Sequence, residues 1–119
     1  MKTKSTNPQL IQLIHFLRQK SKENDAKIWK DIAKRLAKPR RRRVSVNVSR
    51  LSRYTNKNET VVVPGKVLGA GSINHPINVA AFSFSTKAKE KIKAAKGKLL
   101  SIHQLAKKNP KGSKVKIIG

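Results

Sequence analysis

Apolar positions in the first third of the chain recur at helical spacing. After a basic N-terminal stretch, Asn7-Pro8 reads as a helix N-cap followed by proline at the first helical position, where a missing N–H costs nothing. Leu10, Ile11, Leu13, Ile14 and Leu17 then form an apolar stripe, and Lys20 and Lys22 fall near its C-terminal end, where the helix dipole favours cations. A second stripe, Ile28, Trp29, Ile32, Ala33 and Leu36, follows a short turn at Ser21 to Asp25. Asn24-Asp25 is expected to open that helix, which gives Glu23 and Asp25 capping roles. Asp31 and Arg35 form an i,i+4 pair, and Pro39 excludes helical geometry at Lys38. The pattern predicts a helical hairpin over 7–38.

Downstream of Arg43 the period changes to two. Val44, Val46 and Val48 alternate with Ser45, Asn47 and Ser49, the pattern of a half-buried strand that Arg50 to Tyr54 continue or turn away from. Thr55 to Glu59 is a loop by composition, and Thr60 to Val63 a short buried strand stopped by Pro64-Gly65. The glycine-rich run from Gly65 to Pro76 reads as an ordered loop anchored by Val67, Leu68 and Ile73. Ile77 to Phe84 is apolar on both faces, which marks a central strand. Ser85 caps a third helix carrying Ala88, Ile92 and Ala95 on one face, with Gly97 at its stop. Leu99-Leu100 is a brief buried segment. Ser101 to Gln104 has capping-box spacing, with Leu100 and Leu105 placed for a hydrophobic staple, so a fourth helix is expected up to Asn109-Pro110. Val115, Ile117 and Ile118 form a closing strand. No fixed-period repeat is visible. The expectation is one α/β domain over 1–119, with a basic arm at 1–6, the hairpin at 7–38 and a mixed α/β core at 39–119.

Charge changes the picture more than any single motif. Lys plus Arg is 29 and Asp plus Glu is 5, so the formal net charge is 29 − 5 = +24 on 119 residues. A compact chain with that charge repels itself, and salt at physiological strength screens only beyond about 8 Å. A polyanionic partner resolves the repulsion. Nucleic acid gains further from counterion release, whereas an anionic membrane surface is the other candidate. The membrane reading fails on detail: the first helix has a wide apolar face without flanking tryptophan, and core packing explains it better. No apolar run approaches a membrane span, and Met1 to Thr6 is not followed by the apolar segment of a secretory signal. The absence of cysteine excludes disulfides, cysteine-based zinc sites and a cysteine nucleophile. Aromatics are 4% of the chain, which weighs against a stacking platform that reads single strands.

Candidate chemistry follows from the charge. Arg40, Arg41, Arg42 and Arg43 join the second helix to the first strand with no acid nearby, and guanidiniums bind phosphate bidentately. Arg50 and Arg53 extend the patch; Tyr54 is either a base-stacking or a core tyrosine. Lys2, Lys4, Lys66, Lys111 and Lys114 complete the candidate nucleic-acid contacts. The lysines of the third helix wrap around it, which for most of them is the pattern of a solvated face. The glycine loop fits neither the Walker A pattern nor the dinucleotide fingerprint, since Asn74 stands where the third glycine belongs; a loop whose backbone approaches RNA is the better reading. The acids Glu23, Asp25, Asp31, Glu59 and Glu90 form no acid/base pair in sequence, and His15, His75 and His103 lack ligand spacing. Neither a catalytic centre nor a metal, cofactor or small-molecule substrate is expected.

Four blocks carry a family likeness: Val44 to Tyr54, Thr60 to Gly69 (Thr-Val-Val-Val-Pro-Gly-Lys-Val-Leu-Gly), Val79 to Ser85, and Asn109 to Val115. In this order the sequence resembles the L-eighteen-e family of archaeal and eukaryotic large-subunit ribosomal proteins, related to bacterial L-fifteen, over essentially its whole length. The resemblance implies a compact α/β domain built as an irregular superhelix of β-β-α units after the helical hairpin. It implies binding to large-subunit ribosomal RNA beside neighbouring ribosomal proteins, a cytoplasmic, ribosomal location, and no enzymatic activity. Ser72 to His75 departs from the more acidic stretch associated with this position. A DNA-compacting protein shares the charge, and a small RNA-processing enzyme using His75 or His103 is a third reading; the family blocks favour the ribosomal one.

Overall fold

The computed structural model describes residues 7–39 and 43–119. The arm at 1–6 and Arg40 to Arg42 lie outside the described residues. The chain divides into two compact units, one of residues up to 43 together with 103–113, the other of 44–102 and 114–119.

The first unit is helical. Helix α1 (Pro8–Asn24) begins as its sequence dictates: Asn7 Oδ1 accepts from the N–H groups of Gln9 and Leu10, and proline occupies the first turn. It does not end where the pattern suggested. Asn24 completes α1, and Asp25 is its C-cap at φ 50, in the left-handed region that Asn and Asp tolerate. Helix α2 (Lys27–Leu36) therefore starts later, with Ala26 at its N-cap and no side-chain cap. Glu23 has no capping role either. It sits in the last turn of α1 and pairs with Lys20 at 3.5 Å. Leu10, Ile14 and Leu17 of α1 and Trp29, Ile32, Ala33 and Leu36 of α2 are buried, as the two stripes predict. Asp31 and Arg35 pair at 3.2 Å. Residues 103–113, which the sequence pattern assigned to the α/β part, group with these helices. The Trp29 indole donates to Pro110 O at 2.6 Å, and Phe16 and His103 stack with centroids 4.0 Å apart.

The second unit is a wholly parallel sheet. Strands β1 (Val44–Asn47), β2 (Thr60–Leu68), β3 (Asn78–Phe84) and β4 (Lys98–Ser101) lie in that order, and β5 (Val115–Ile117) also pairs with β2. Because β3 occupies one edge of β2, the other is shared end to end: β5 pairs with Thr60 to Val62 and β1 with Gly65 to Leu68. Helices α3 (Val48–Arg53) and α4 (Thr86–Ala94) follow β1 and β3; α5 (Ile102–Lys108) follows β4 in the chain and from His103 onward belongs to the first unit. Val46, Val61, Val63, Val67, Val79 and Ala81 of the sheet form one core with Val48 and Leu51 of α3 and Ala88 and Ile92 of α4. Val79, Ala80 and Ala81 are buried in succession, so β3 is covered on both faces, as expected of a central strand. Ser85 Oγ caps α4 by accepting from Ala88 N–H at 3.1 Å.

Three expectations need correction here. Val48 does not extend β1; it opens α3, because Val48 serves both the alternation 44-46-48 and the helical spacing 48-51, and the latter prevails. Pro64-Gly65 does not stop β2. The register passes from Val63↔Ala81 to Lys66↔Ser83, so β2 carries an extra residue there, a bulge that leaves Pro64 out of the ladder it cannot serve as a donor. Gly65 then pairs with Val44, and a Cβ on it would lie 2.1 Å from Val44 O. Finally, Leu99 and Leu100 are only half-buried, as part of the edge strand β4.

Candidate nucleic-acid interface

Two of the exposed basic side chains of the second unit stand together on α3. Its six residues leave two inward, Val48 and Leu51, both fully buried. Helical geometry then turns Arg50 and Arg53 outward, three residues apart and on neighbouring surface positions. Tyr54 is the C-cap of the helix, and its N–H donates to Arg50 O at 3.2 Å. It is 56% exposed, which removes the core reading of this tyrosine. The Arg50 guanidinium lies 5.9 Å from the centroid of its ring, within cation–π range.

A helix this short does not stand by propensity alone. The glycine-rich loop after β2 braces it. Ser49 N–H donates to Ala70 O at 3.3 Å, and Ala70 N–H donates back to Asn47 Oδ1 at 3.2 Å. Further on, Asn74 N–H donates to Ser52 Oγ at 3.3 Å. At the C-terminal end the Thr55 hydroxyl, buried, donates to Leu51 O at 2.6 Å and meets His75 Nε2 at 2.8 Å. Since the hydroxyl has one proton, His75 Nε2 is the N–H-bearing nitrogen of that pair. The glycines allow the close approach. Gly71 has φ +87, and a Cβ there would sit 2.3 Å from Ser49 Cβ; a Cβ on Gly69 would sit 2.5 Å from Lys87 Cβ. These two glycines thus have a reason within the protein itself, besides any approach to RNA.

Lys91 completes the brace. From α4 its ammonium donates to Gly69 O at 2.6 Å and also to Gly71 O. At the N-terminal end of β2, Lys116 pairs with Glu59 at 3.0 Å and donates to Tyr54 O at 3.4 Å. The Glu59 carboxyl is held below its ordinary range, first by the Asn56 N–H that donates to it and then by Lys116.

The remaining sequence candidates are dispersed. Lys66 is exposed on β2, in register with Ser45 of β1 and Ser83 of β3. Arg43 is half-buried, with Nε donating to Lys38 O at 3.2 Å. Lys111 is exposed in a turn closed by the Gly112 N–H to Asn109 O bond of 2.9 Å, and Lys114 is exposed at φ 58 just before β5. Lys2, Lys4 and Arg40 to Arg42 fall outside the described residues. Sequence reasoning missed α3 as a helix, its brace, and Lys91. The signal for α3 was present in the spacings Val48-Leu51 and Arg50-Tyr54; nothing in sequence distinguishes Lys91 from its neighbours on α4. Among the described residues no three His, Asp or Glu side chains cluster to hold a metal, and no helix is long and apolar enough to cross a membrane.

Comparison with known proteins bears on what such a surface serves. The family described as "Ribosomal protein 60S L18 and 50S L18e" matches residues 1–119. The chain is 54% identical over 117 residues to the large ribosomal subunit protein eL18 of Methanococcus maripaludis, with 98% of each chain covered. It is 52% identical over 115 residues to that of Archaeoglobus fulgidus, covering 97% of this chain and 98% of the relative. With the protein of the same name from Methanothermobacter thermautotrophicus it shares 47% over 117 residues, 98% of this chain and 97% of the other.

Proposed function

This chain belongs to the family of ribosomal proteins 60S L18 and 50S L18e, and from that premise we propose that its exposed basic side chains bind and stabilise large-subunit ribosomal RNA. It is a structural protein of the large ribosomal subunit, in a family that is not enzymatic. Ribosomal RNA and neighbouring ribosomal proteins are its partners. The RNA contacts are Arg50, Arg53, Tyr54 and Lys66, with Lys111 and Lys114 at the C-terminal turn and Lys2, Lys4 and Arg40 to Arg43 from the arm and the inter-element run. Each cation neutralises a phosphate, releases counterions and lowers the repulsion between RNA segments packed together.

The observation that carries this reading is α3. It turns two guanidiniums outward, carries no acid, and is fixed to its loop by backbone and side-chain hydrogen bonds. That rigidity limits the entropy lost on binding. The finer architecture belongs to the same proposal: β2, β3 and α4 follow one another as a β-β-α unit of an irregular superhelix. So does the domain assignment. The chain passes between the two units at 43/44, 102/103 and 113/114, which supports one domain over 1–119.

The test is the salt dependence of binding to large-subunit ribosomal RNA. Changing Arg50 and Arg53 together to Gln should lower the slope of log K against log salt by about 0.7–0.9 for each phosphate no longer neutralised. Changing Arg40 to Arg43 to Ala should lower it further in the same proportion. An unchanged slope in both variants would mean these cations are merely solvated.

A further inference from the structure

The outer face of α3 carries one group that phosphate neutralisation does not use, the Tyr54 ring. A single exposed aromatic is ordinary on a protein surface. This one differs in how it is held. Its N–H is tied to Arg50 O, its carbonyl accepts from Lys116, and the next residue, Thr55, is buried and bonded to Leu51 O and His75. The backbone on both sides of the ring is therefore fixed, while the ring itself projects at 56% exposure. The Arg50 guanidinium stands 5.9 Å from the ring centroid, and Arg53 is exposed one helical step away. An aromatic surface with cations beside it and no acid on its helix fits an anionic partner that also has a flat π-face.

Building on the RNA reading above, we propose that Tyr54 with Arg50 and Arg53 forms a site for a single unpaired nucleotide of RNA. The base stacks on the Tyr54 ring and the guanidiniums take the phosphates on either side of it. A fully paired helix offers the guanidiniums the same phosphates but keeps its bases stacked on each other, so it leaves the ring unused. The site reads one base and not a strand. That agrees with a chain holding only 4% aromatic residues. Recognition is of an exposed base face, tolerant of base identity, because every base has one.

The chain supplies its own reporter. Tyr54 is the only tyrosine, and the only tryptophan, Trp29, is buried with its indole N–H bonded to Pro110 O. The experiment titrates the full-length protein with a hairpin RNA carrying one unpaired adenosine and with its fully paired counterpart, following tyrosine emission and affinity over a range of salt. Wild type should bind the bulged RNA more tightly, with tyrosine emission quenched only by that RNA. Tyr54→Ala should lose roughly 5- to 150-fold in affinity for the bulged RNA and nearly nothing for the paired one, at an unchanged salt slope. Tyr54→Phe should retain the preference, and a thermal melt should show both variants folded. Equal affinity for the two RNAs in wild type, or an equal effect of Tyr54→Ala on both, would overturn the site while leaving phosphate binding intact. Salt-independent, negligible binding of either RNA would overturn the RNA reading as well. Unaltered RNA binding by Tyr54→Ala combined with its exclusion from large subunits would assign the ring to a protein neighbour and also overturn the proposal.

Discussion

Lys91 looks like one more cation on a lysine-rich helix, and the structure gives it a different task. Its ammonium donates to two backbone carbonyls, Gly69 O and Gly71 O, and so fixes the loop that braces α3. Replacing it by methionine keeps most of the aliphatic stem and removes both bonds. A hydrogen bond from a charged donor contributes about 1.5–3 kcal/mol net when buried. Lys91 is half-buried, and the two bonds share one ammonium, so the loss should be near about 1–2 kcal/mol. At about 2.1 cal/mol/K per residue, unfolding a chain of this size carries an entropy of roughly 250 cal/mol/K, so the melting temperature should fall by about 4–8 °C. Lys89→Met and Lys93→Met are the controls. Both side chains are exposed on the same helix, and each change should stay within about 0.5 kcal/mol, or ~2 °C. The assay is thermal unfolding of the four proteins by circular dichroism in one buffer. If Lys91→Met melts with its two controls, the loop brace is not what holds this region, and the rigidity argued for α3 loses its basis.

Other expectations follow from the same region. Thr55→Val removes a buried hydroxyl that joins Leu51 O to His75 and should cost about 1–3 kcal/mol in a urea unfolding curve, since both partners lose their bond. Glu59 has a depressed pKa in the folded state, so its contribution to stability is present above the unfolded value of 4.5 and is lost as pH falls through the lowered folded value. An NMR titration of its carboxyl should place the midpoint below 4.5, and Lys116→Met should move it upward without restoring it fully, because the Asn56 N–H remains. The double change of Arg50 and Arg53 to Gln should weaken RNA binding without lowering the melting temperature, because both side chains are exposed; a large loss of stability would make the binding defect uninformative about phosphate neutralisation.

Much of the fold was legible wherever one period dominated a segment. The stripes of α1 and α2, the doubly covered β3 and the Ser85 cap of α4 were set by local chemistry, and the structure has them at those positions. Legibility failed where one residue satisfied two patterns or where a distant partner decided. Val48 fits both a strand and a helix, and the bonds from Ala70 to Asn47 and Ser49 settle it in favour of α3. Pro64 reads as a strand stop, yet β2 passes through it by a bulge because β1 and β3 hold both of its flanks. Asn24-Asp25 is as good an ending as a beginning, and left-handed backbone at Asp25 makes it the ending of α1. For the proposed binding surface, net charge pointed to a polyanionic partner but did not separate RNA from DNA; Arg50, Arg53 and Lys66 are exposed. The different fate of Lys91 depends on two carbonyls some twenty residues away, which no local pattern encodes.

This chain is a structural protein of the large ribosomal subunit, and the proposed phosphate contacts would hold it there. The most direct measurement is a sucrose gradient of native lysate, run in low and then in high salt, with the protein followed in every fraction. Co-migration with large subunits that survives high salt is the predicted result. Migration with nucleoid DNA, or release as free protein at moderate salt, would contradict it.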